Sequence, residues 1–358
     1  STDKHIDFHN LREGKYRFNL KTKDVYDNMS DIMTFEFKIS PPWYRTIIAY
    51  VMYFLLLISG LYITVRLANK RIQNQNEKLE KIVIDRTSEI NKQKEKLELS
   101  YEQLNEAHED IEQSINYAER LQQGILPPLD LVDKWLPNSF IFFRPKDVVS
   151  GDFYWVEEFN NIIYFAAADC TGHGIPGAMV SMICSAALNK SLYEDEINEP
   201  GKILDQTRQL VEDRFVRAKD KIKDGMDISL CSLDKDKGIL KWAGANNPLW
   251  ILRKGSEEVE IISPNKQPVG YVENPEAFTQ HEIQLNKDDS VYVFSDGFQD
   301  QFGGEKGKKY MRGKMRKFVV SLSNENMNHQ LKSFAKEFDQ WKGDFDQVDD
   351  ICVIGVQV

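Results

Sequence analysis

The stretch IIYFAAADCTGHGIPGAM, residues 162–179, decides the fold. Its first half is an apolar run of strand length that ends on Asp169. Its second half carries Gly172, Gly174, Pro176 and Gly177 and leads into a helix predicted over residues 177–193. A carboxylate at a strand end with glycine close behind faces a cleft edge rather than a core. The glycines permit close backbone approach, so a carbonyl such as that of Cys170 can serve as a further oxygen ligand. Seventeen residues upstream, Asp152 follows Gly151 and opens the run FYWV. That spacing predicts a β-hairpin with one carboxylate near the functional edge of each strand. Asp296 in VFSDGF and the pair Asp349–Asp350 in VDDICVIGV repeat the pattern further along. Four acidic positions from distant parts of a domain repel one another when they converge, unless a cation lies between them. An all-oxygen ligand set suits Mg²⁺ or Mn²⁺, so the set reads as a hard-metal site for two ions.

Around these positions, the runs ISLCSL, ILKWAG, PLWILR and VYVFS are of strand length and separated by turns. Helical patterns interrupt them, for example over residues 201–218. There is no strand–helix–strand alternation, which predicts an antiparallel α+β layer fold rather than a parallel sheet. The four cysteines, Cys170, Cys184, Cys231 and Cys352, include no CxxC pair, so neither a zinc knuckle nor a redox motif is indicated. Reduced thiols fit a cytosolic domain. A net charge of −10 and a pI of about 5.3 argue against nucleic acid as a partner.

Toward the N-terminus the pattern changes twice. Residues 46–65, TIIAYVMYFLLLISGLYITV, contain no charge. As a helix they span about 30 Å, the thickness of a bilayer core, and Trp43, Tyr44, Tyr50 and Tyr62 lie toward the ends, as interfacial belts do. Within 20 residues on each side, Lys38 and Arg45 precede the run and Arg66, Lys70, Arg71, Lys78 and Lys81 follow it. The positive-inside rule then places the C-terminal part in the cytoplasm. Residues 66–123 lack Pro and Gly, and Val83, Ile90, Leu97, Leu104, Ile111, Ala118 and Ile125 recur every seven residues. The companion heptad position is apolar at its ends but polar at Arg86, Gln93, Ser100 and Ser114. This predicts a dimeric coiled coil with a weak central seam, able to shift between packings. Before the apolar run, residues 11–43 alternate in strand fashion. The opening residues read as the middle of a domain, which predicts a longer parent chain.

The motifs YAERLQQGILPP, RPKDVVSGDFYWV, AAADCTGHGIPGAMVSM, WAGANNPLWIL, QPVGY, VYVFSDGFQDQ and DDICVIGV occur in the order and spacing of the PPM (PP2C-like) phosphatases. Over residues 117–358 the chain resembles their SpoIIE/RsbU-type branch. That resemblance implies a β-sandwich flanked by helices that removes phosphate from Ser or Thr, with two Mn²⁺ or Mg²⁺ ions and a metal-bridged hydroxide as attacking group. It implies that Asp169 bridges the ions, that the Cys170 carbonyl ligates one, and that Asp296 and Asp349 complete the other. Asp152 contacts a metal directly or through water, with Asp350 the alternative to Asp349. Asp152 and Asp169 are thereby the catalytic pair. Arg144 and Lys146 are candidates for phosphate binding, and Asp227 for the site or a third ion. His173 reads as a turn residue shaping the helix start rather than as a general acid, and Cys352 stands where the family commonly has Thr.

Residues 11–43 also resemble the last strands of the Y_Y_Y module of bacterial receptors. The implied layout is an extracytoplasmic β segment (1–45), a transmembrane helix (46–65), a coiled-coil signalling helix (66–126) and the phosphatase domain (127–358). The whole reads as a single-pass protein of the inner membrane, dimeric through its coiled coil. It acts on a phosphorylated protein, for which the branch suggests an anti-sigma-antagonist (STAS) protein. Two competing readings are a catalytically inactive phosphatase-like binding module and, from the helix around His108, a sensor histidine kinase. The absence of an ATP-lid motif counts against the kinase.

Overall fold

The computed structural model describes residues 7–216 and 223–358. Residues 1–6 of the β segment, and the last two residues of the helix expected over 201–218, lie outside these. The chain forms two units, Ser1–Gln103 and Leu104–Val358.

In the first unit, β1 (Gly14–Leu20) and β2 (Met33–Ile39) form an antiparallel hairpin with Gly14 opposite Ile39. Tyr16 stacks on Phe37 with ring centroids 5.7 Å apart, and Arg17 pairs with Glu36 across the strands at 2.7 Å. After a single 3₁₀ turn at Trp43–Arg45, α1 (Ile47–Gln123) runs for 77 residues. It has no break where the apolar run meets the charged segment at Arg66. Its apolar N-terminal part is almost wholly exposed, and α1 is long and apolar enough to cross a membrane. α1 stops at Gly124, so Ile125, the last position of the heptad series, lies beyond it.

In the second unit α1 is followed by α2 (Leu129–Trp135), β3 (Ser139–Arg144), β4 (Phe153–Phe159) and β5 (Ile162–Cys170). Then come α3 (Gly174–Asn189), α4 (Pro200–Val216), β6 (Gly225–Asp234), β7 (Ile239–Ala245), β8 (Leu249–Leu252) and β9 (Glu260–Ile262). β10 (Val269–Gly270), β11 (His281–Gln284), β12 (Ser290–Phe294) and α5 (Gly297–Asp300) follow. β13 (Phe302–Gly303), β14 (Lys308–Lys309), α6 (Arg312–Ser321), α7 (Met327–Lys342) and β15 (Ile351–Gln357) complete it. One sheet has the order β11-β7-β6-β5-β4 with β10 beside β6; the second has the order β3-β15-β12-β8-β9. All these pairings are antiparallel, as expected from the missing strand–helix alternation.

The alternation of side chains along a strand builds four layers. In β5, Ile163, Phe165 and Ala167 face the second sheet, where they meet Val291, Val293, Cys352 and Ile354. Tyr164, Ala166 and Ala168 face outward and pack under α3 and α4 through Cys184, Leu188 and Leu204. The outer face of the second sheet, with Phe140, Phe142 and Phe294, packs against Met315 of α6 and Phe334 and Phe338 of α7. Because both sheets are covered on both faces, their strands read as nearly unbroken apolar runs.

The β4–β5 connection fixes the register that matters for the site. Only Asn160 and Asn161 join the strands, both with positive φ (52° and 66°). Two left-handed residues form the tight turn that matches strand twist, and Asn tolerates that conformation. Phe159 thus pairs with Ile162 and Phe153 with Ala168. Continuing the register by one residue sets Asp152 opposite Asp169, the hairpin anticipated from their spacing.

Candidate functional site

The carboxylates come from strand ends in both sheets. Asp169 occupies the penultimate position of β5 and stands directly opposite Asp227 of β6. Asp296 follows β12 as the residue before α5, and Asp349 immediately precedes Asp350 and β15. Asp169, Asp227, Asp296 and Asp349 line one cleft of about 310 Å³ together with Cys170, Thr171, Gly172, His173, Met226 and Pro268. No lysine or arginine is among these lining residues. Asp152 lies behind them, 3% exposed, and its Oδ2 is buried without a hydrogen-bond partner. A pair of like charges directly opposite in neighbouring strands is destabilising, so the Asp169–Asp227 juxtaposition costs the fold stability and calls for a chemical reason.

Glycines hold the loop after Asp169 in place. Gly172 has φ +88°, and a Cβ on Gly151 or Gly177 would overlap its carbonyl oxygen. The segment before Asp152, the loop after Asp169 and the first turn of α3 therefore touch through backbone alone. The Cys170 carbonyl faces the same junction, 3.3 Å from where a Gly151 Cβ would sit. α3 begins at Gly174, three residues earlier than the sequence pattern suggests, with His173 just before it. His173 is exposed, and its Nδ1 lies 3.2 Å from Asp147 Oδ2.

The adjacent pair Asp349–Asp350 divides sharply. Asp350 is 2% exposed, and its two oxygens accept from the amides of Lys146 and Gly151, each at 2.7 Å. Its carboxylate ties β15 to the loop before Asp152 and does not line the cleft, whereas that of Asp349 does.

Charge crowding registers in the acidities. Burial, and then the charges of Asp296, Asp349 and Asp227, push Asp169 up to about 8. Asp296 is raised to about 6, first by burial and then by Asp300 and Asp349. Asp152 is raised well above the carboxylate range by burial and by Asp169, with the Ser295 hydroxyl opposing. Burial also raises Asp227, against a hydrogen bond from Asn246 Nδ2 at 2.8 Å. The thiol of Cys170 is pushed up by burial and by neighbouring Cys184.

Arg144 and Lys146 are not brought to the cleft lining. Arg144 Nη1 pairs with Asp339 of α7 at 2.6 Å, and its guanidinium lies over Phe338, 5.3 Å from the ring centroid. Lys146 contributes its backbone amide to Asp350. Two functional neighbours carry no site role in the sequence: WAGANNPLW reads Asn246 as a structural turn residue, and YAERLQQGILPP does not single out Gln122. Asn246, within WAGANNPLW, orients Asp227. Gln122, within YAERLQQGILPP, is buried at the end of α1; its Nε2 donates to Ser150 O (2.6 Å) and Ser181 Oγ (3.0 Å), and its Oε1 accepts from Ser150 N (3.0 Å). An uncharged polar residue two positions before a helix-ending Gly was the available signal.

The donor set fits divalent cations. It consists of carboxylates that repel one another, one of them with an unpartnered buried oxygen, and lacks a compensating side-chain cation in the lining. Among the described residues, no three His, Cys, Asp or Glu side chains close into a ready-made cage; they surround a cleft.

A family model described as Stage II sporulation protein E (SpoIIE) matches residues 161–358, more than half of the chain. The chain belongs to the SpoIIE family. The SpoIIE/RsbU-type resemblance read from its motifs is thereby established. Among solved structures, the PP2C domain of SiaA from Pseudomonas aeruginosa is 27% identical, with a TM-score of 0.64 over 70% of this chain and 98% of that one. The PP2C phosphatase domain and regulatory fragment of SpoIIE from Bacillus subtilis is 21% identical, with a TM-score of 0.50 over 62% of this chain and 61% of that one, a likeness of fold. No curated protein sequence matches the chain. The SpoIIE match includes Asp169, Asp227, Asp296 and Asp349 and begins within the hairpin turn, just after Asp152 and β4.

Proposed function

We propose that the chain is a divalent-metal-dependent protein serine/threonine phosphatase and the cytoplasmic output of a membrane receptor. The observation that carries the catalytic part is the cleft itself: four carboxylates from two sheets, with a fifth behind them and no cation in the lining, in a chain of the SpoIIE family. We assign Asp169, the Cys170 carbonyl, Asp296 and Asp349 as the groups that would hold two Mn²⁺ or Mg²⁺ ions, with Asp152 supporting them directly or through water. Asp227, held by Asn246, joins this set. Asp350 keeps the Lys146–Gly151 loop in place and is not a ligand. When bound, the ions supply Lewis acidity and compensate phosphoryl charge. Neither Arg144 nor Lys146 lines the cleft and Arg144 pairs with Asp339, so this reading assigns phosphate binding to neither.

The substrate in this reading is a phosphorylated protein, and a STAS anti-sigma-antagonist is the candidate the family resemblance supplies. The charge asymmetry around residues 46–65 supports a single-pass location in the inner membrane with the phosphatase inside. The heptad series supports a homodimer through residues 66–126, and residues 1–45 form the end of the extracytoplasmic part.

The deciding experiment compares the full chain in detergent with its Asp169→Asn variant. It measures Mn²⁺ binding by calorimetry and release of phosphate from a phosphoserine peptide. Turnover that requires Mn²⁺ and is lost in the variant supports the reading. Mn²⁺ binding without turnover in the wild type would sink the catalytic part.

A further inference from the structure

Beside the acidic cleft lies a second groove of opposite charge. It measures about 370 Å³, with Trp250 and Ile261 among its apolar lining and Lys266, Arg312 and Arg316 as its cations. Arg312 and Arg316 are one helical turn apart on α6 and so share a face. The nearby cations Lys309 and Lys314 are paired with Asp300 and Glu337. By contrast, Lys266, Arg312 and Arg316 make no salt bridge among the described residues; Arg312 donates only to Gln299 Oε1, at 2.9 Å. Three exposed, uncompensated cations around an apolar floor are unusual in a chain of net charge −10.

The groove is coupled to the cleft at three points. Asn246 lines the groove and donates to Asp227 of the cleft at 2.8 Å. Lys266 lies two residues from Pro268, which lines the cleft. Gln299, which holds Arg312, belongs to α5, the helix that starts directly after Asp296. A polypeptide whose phosphorylated side chain enters the cleft is therefore within reach of the groove. Acidic side chains flanking the phosphorylated residue are repelled by the carboxylate-lined cleft and attracted by the three cations.

We propose that this groove docks an acidic segment of the phosphoprotein substrate, and that Lys266, Arg312 and Arg316 select substrates with Asp or Glu near the phosphorylated residue. The proposal rests on the phosphatase reading of the adjacent cleft, but its test does not need turnover. Two fluorescein-labelled peptides, identical except that one carries Asp and Glu where the other carries Asn and Gln, are titrated with the full chain in detergent and EDTA. Fluorescence anisotropy reads binding. The acidic peptide is expected to bind roughly tenfold tighter, the sum of three exposed charge pairs. The preference is expected to collapse in R312Q/R316Q and to a similar extent in R316E. It is expected to survive in R316K and in K237Q, whose position lies in the turn between β6 and β7, beyond the end of β6 far from Asp227. Equal binding of both peptides by the wild type, or a preference that persists in R312Q/R316Q, would overturn the proposal. Phosphorylated versions of the two peptides, assayed with Mn²⁺, then separate the readings: absence of turnover for both refutes the phosphatase, while the binding ratio still decides the groove.

Discussion

Replacing Asp350 by Asn, and Asp349 by Asn in parallel, tests whether two adjacent carboxylates have separate tasks. Asp350 accepts two backbone amides from the loop that leads to Asp152. Asn keeps one acceptor oxygen but points an NH₂ at the second amide. The loss of a charge-assisted bond and the burial of an unpaired donor together cost about 2–5 kcal/mol. Relief of repulsion from Asp349 and Asp152 offsets a part. For a domain of this size, about 2–4 kcal/mol lowers the melting temperature by roughly 5–15 °C. Asp349 accepts only the neighbouring Asp350 amide at 2.9 Å, a bond that the Asn Oδ1 keeps, and its charge raises Asp169 and Asp296. Asp349→Asn is therefore expected to melt at or slightly above the wild-type temperature in EDTA, while Mn²⁺-dependent turnover falls at least a hundredfold, on the order of one lost electrostatic contact to the transition state. The assay is thermal unfolding followed by tryptophan fluorescence, since Trp155, Trp242 and Trp250 are buried in this unit, with phosphopeptide turnover on the same samples. A low-melting Asp349→Asn beside an unaffected Asp350→Asn would refute the assignment.

Three further outcomes follow from the same geometry. Asp169 and Asp296 have folded pKa values raised above their unfolded ones, so their contribution to stability is present at low pH and lost as pH rises. In EDTA the melting temperature should increase as pH falls from about 8 to about 6, and Mn²⁺ should flatten the dependence; a curve rising toward pH 8 in EDTA would contradict the crowding. Gly177→Ala should destabilise the protein although Ala favours helix, because the new Cβ meets the Gly172 carbonyl oxygen; the expected loss is about 1–3 kcal/mol, and a higher melting temperature would refute the backbone contact. Gln122→Ala should cost about 1–3 kcal/mol by stranding the Ser150 amide and carbonyl and should raise the Mn²⁺ concentration needed for half-maximal turnover. Unchanged stability and metal dependence would show that the end of α1 does not support the Asp152 loop.

Much of this protein is written locally. The apolar runs and the missing strand–helix alternation determine an antiparallel layered fold, because strand periodicity and turn chemistry act within a few residues. The Asn160–Asn161 turn sets a register that puts Asp152 across from Asp169. The uncharged 46–65 run is apolar enough for a membrane over its own length, and the SpoIIE motifs are contiguous, so all of these were legible. α6 and α7 were not named from the sequence, since their apolar stripes acquire meaning only against the outer face of the second sheet.

What the tertiary structure alone decided are the partners of side chains distant in sequence. Arg144 looks available for phosphate until α7 brings Asp339 against it. In VDDICVIGV only the family resemblance favours Asp349 over Asp350, whereas the packed chain brings the Lys146 and Gly151 amides to Asp350 and places Asp349 in the cleft lining. The Asp227–Asp169 opposition and the basic groove likewise exist only once separate strands and helices meet. Local sequence sets backbone periodicity, whereas electrostatics and hydrogen bonding depend on distances that only the packed chain defines.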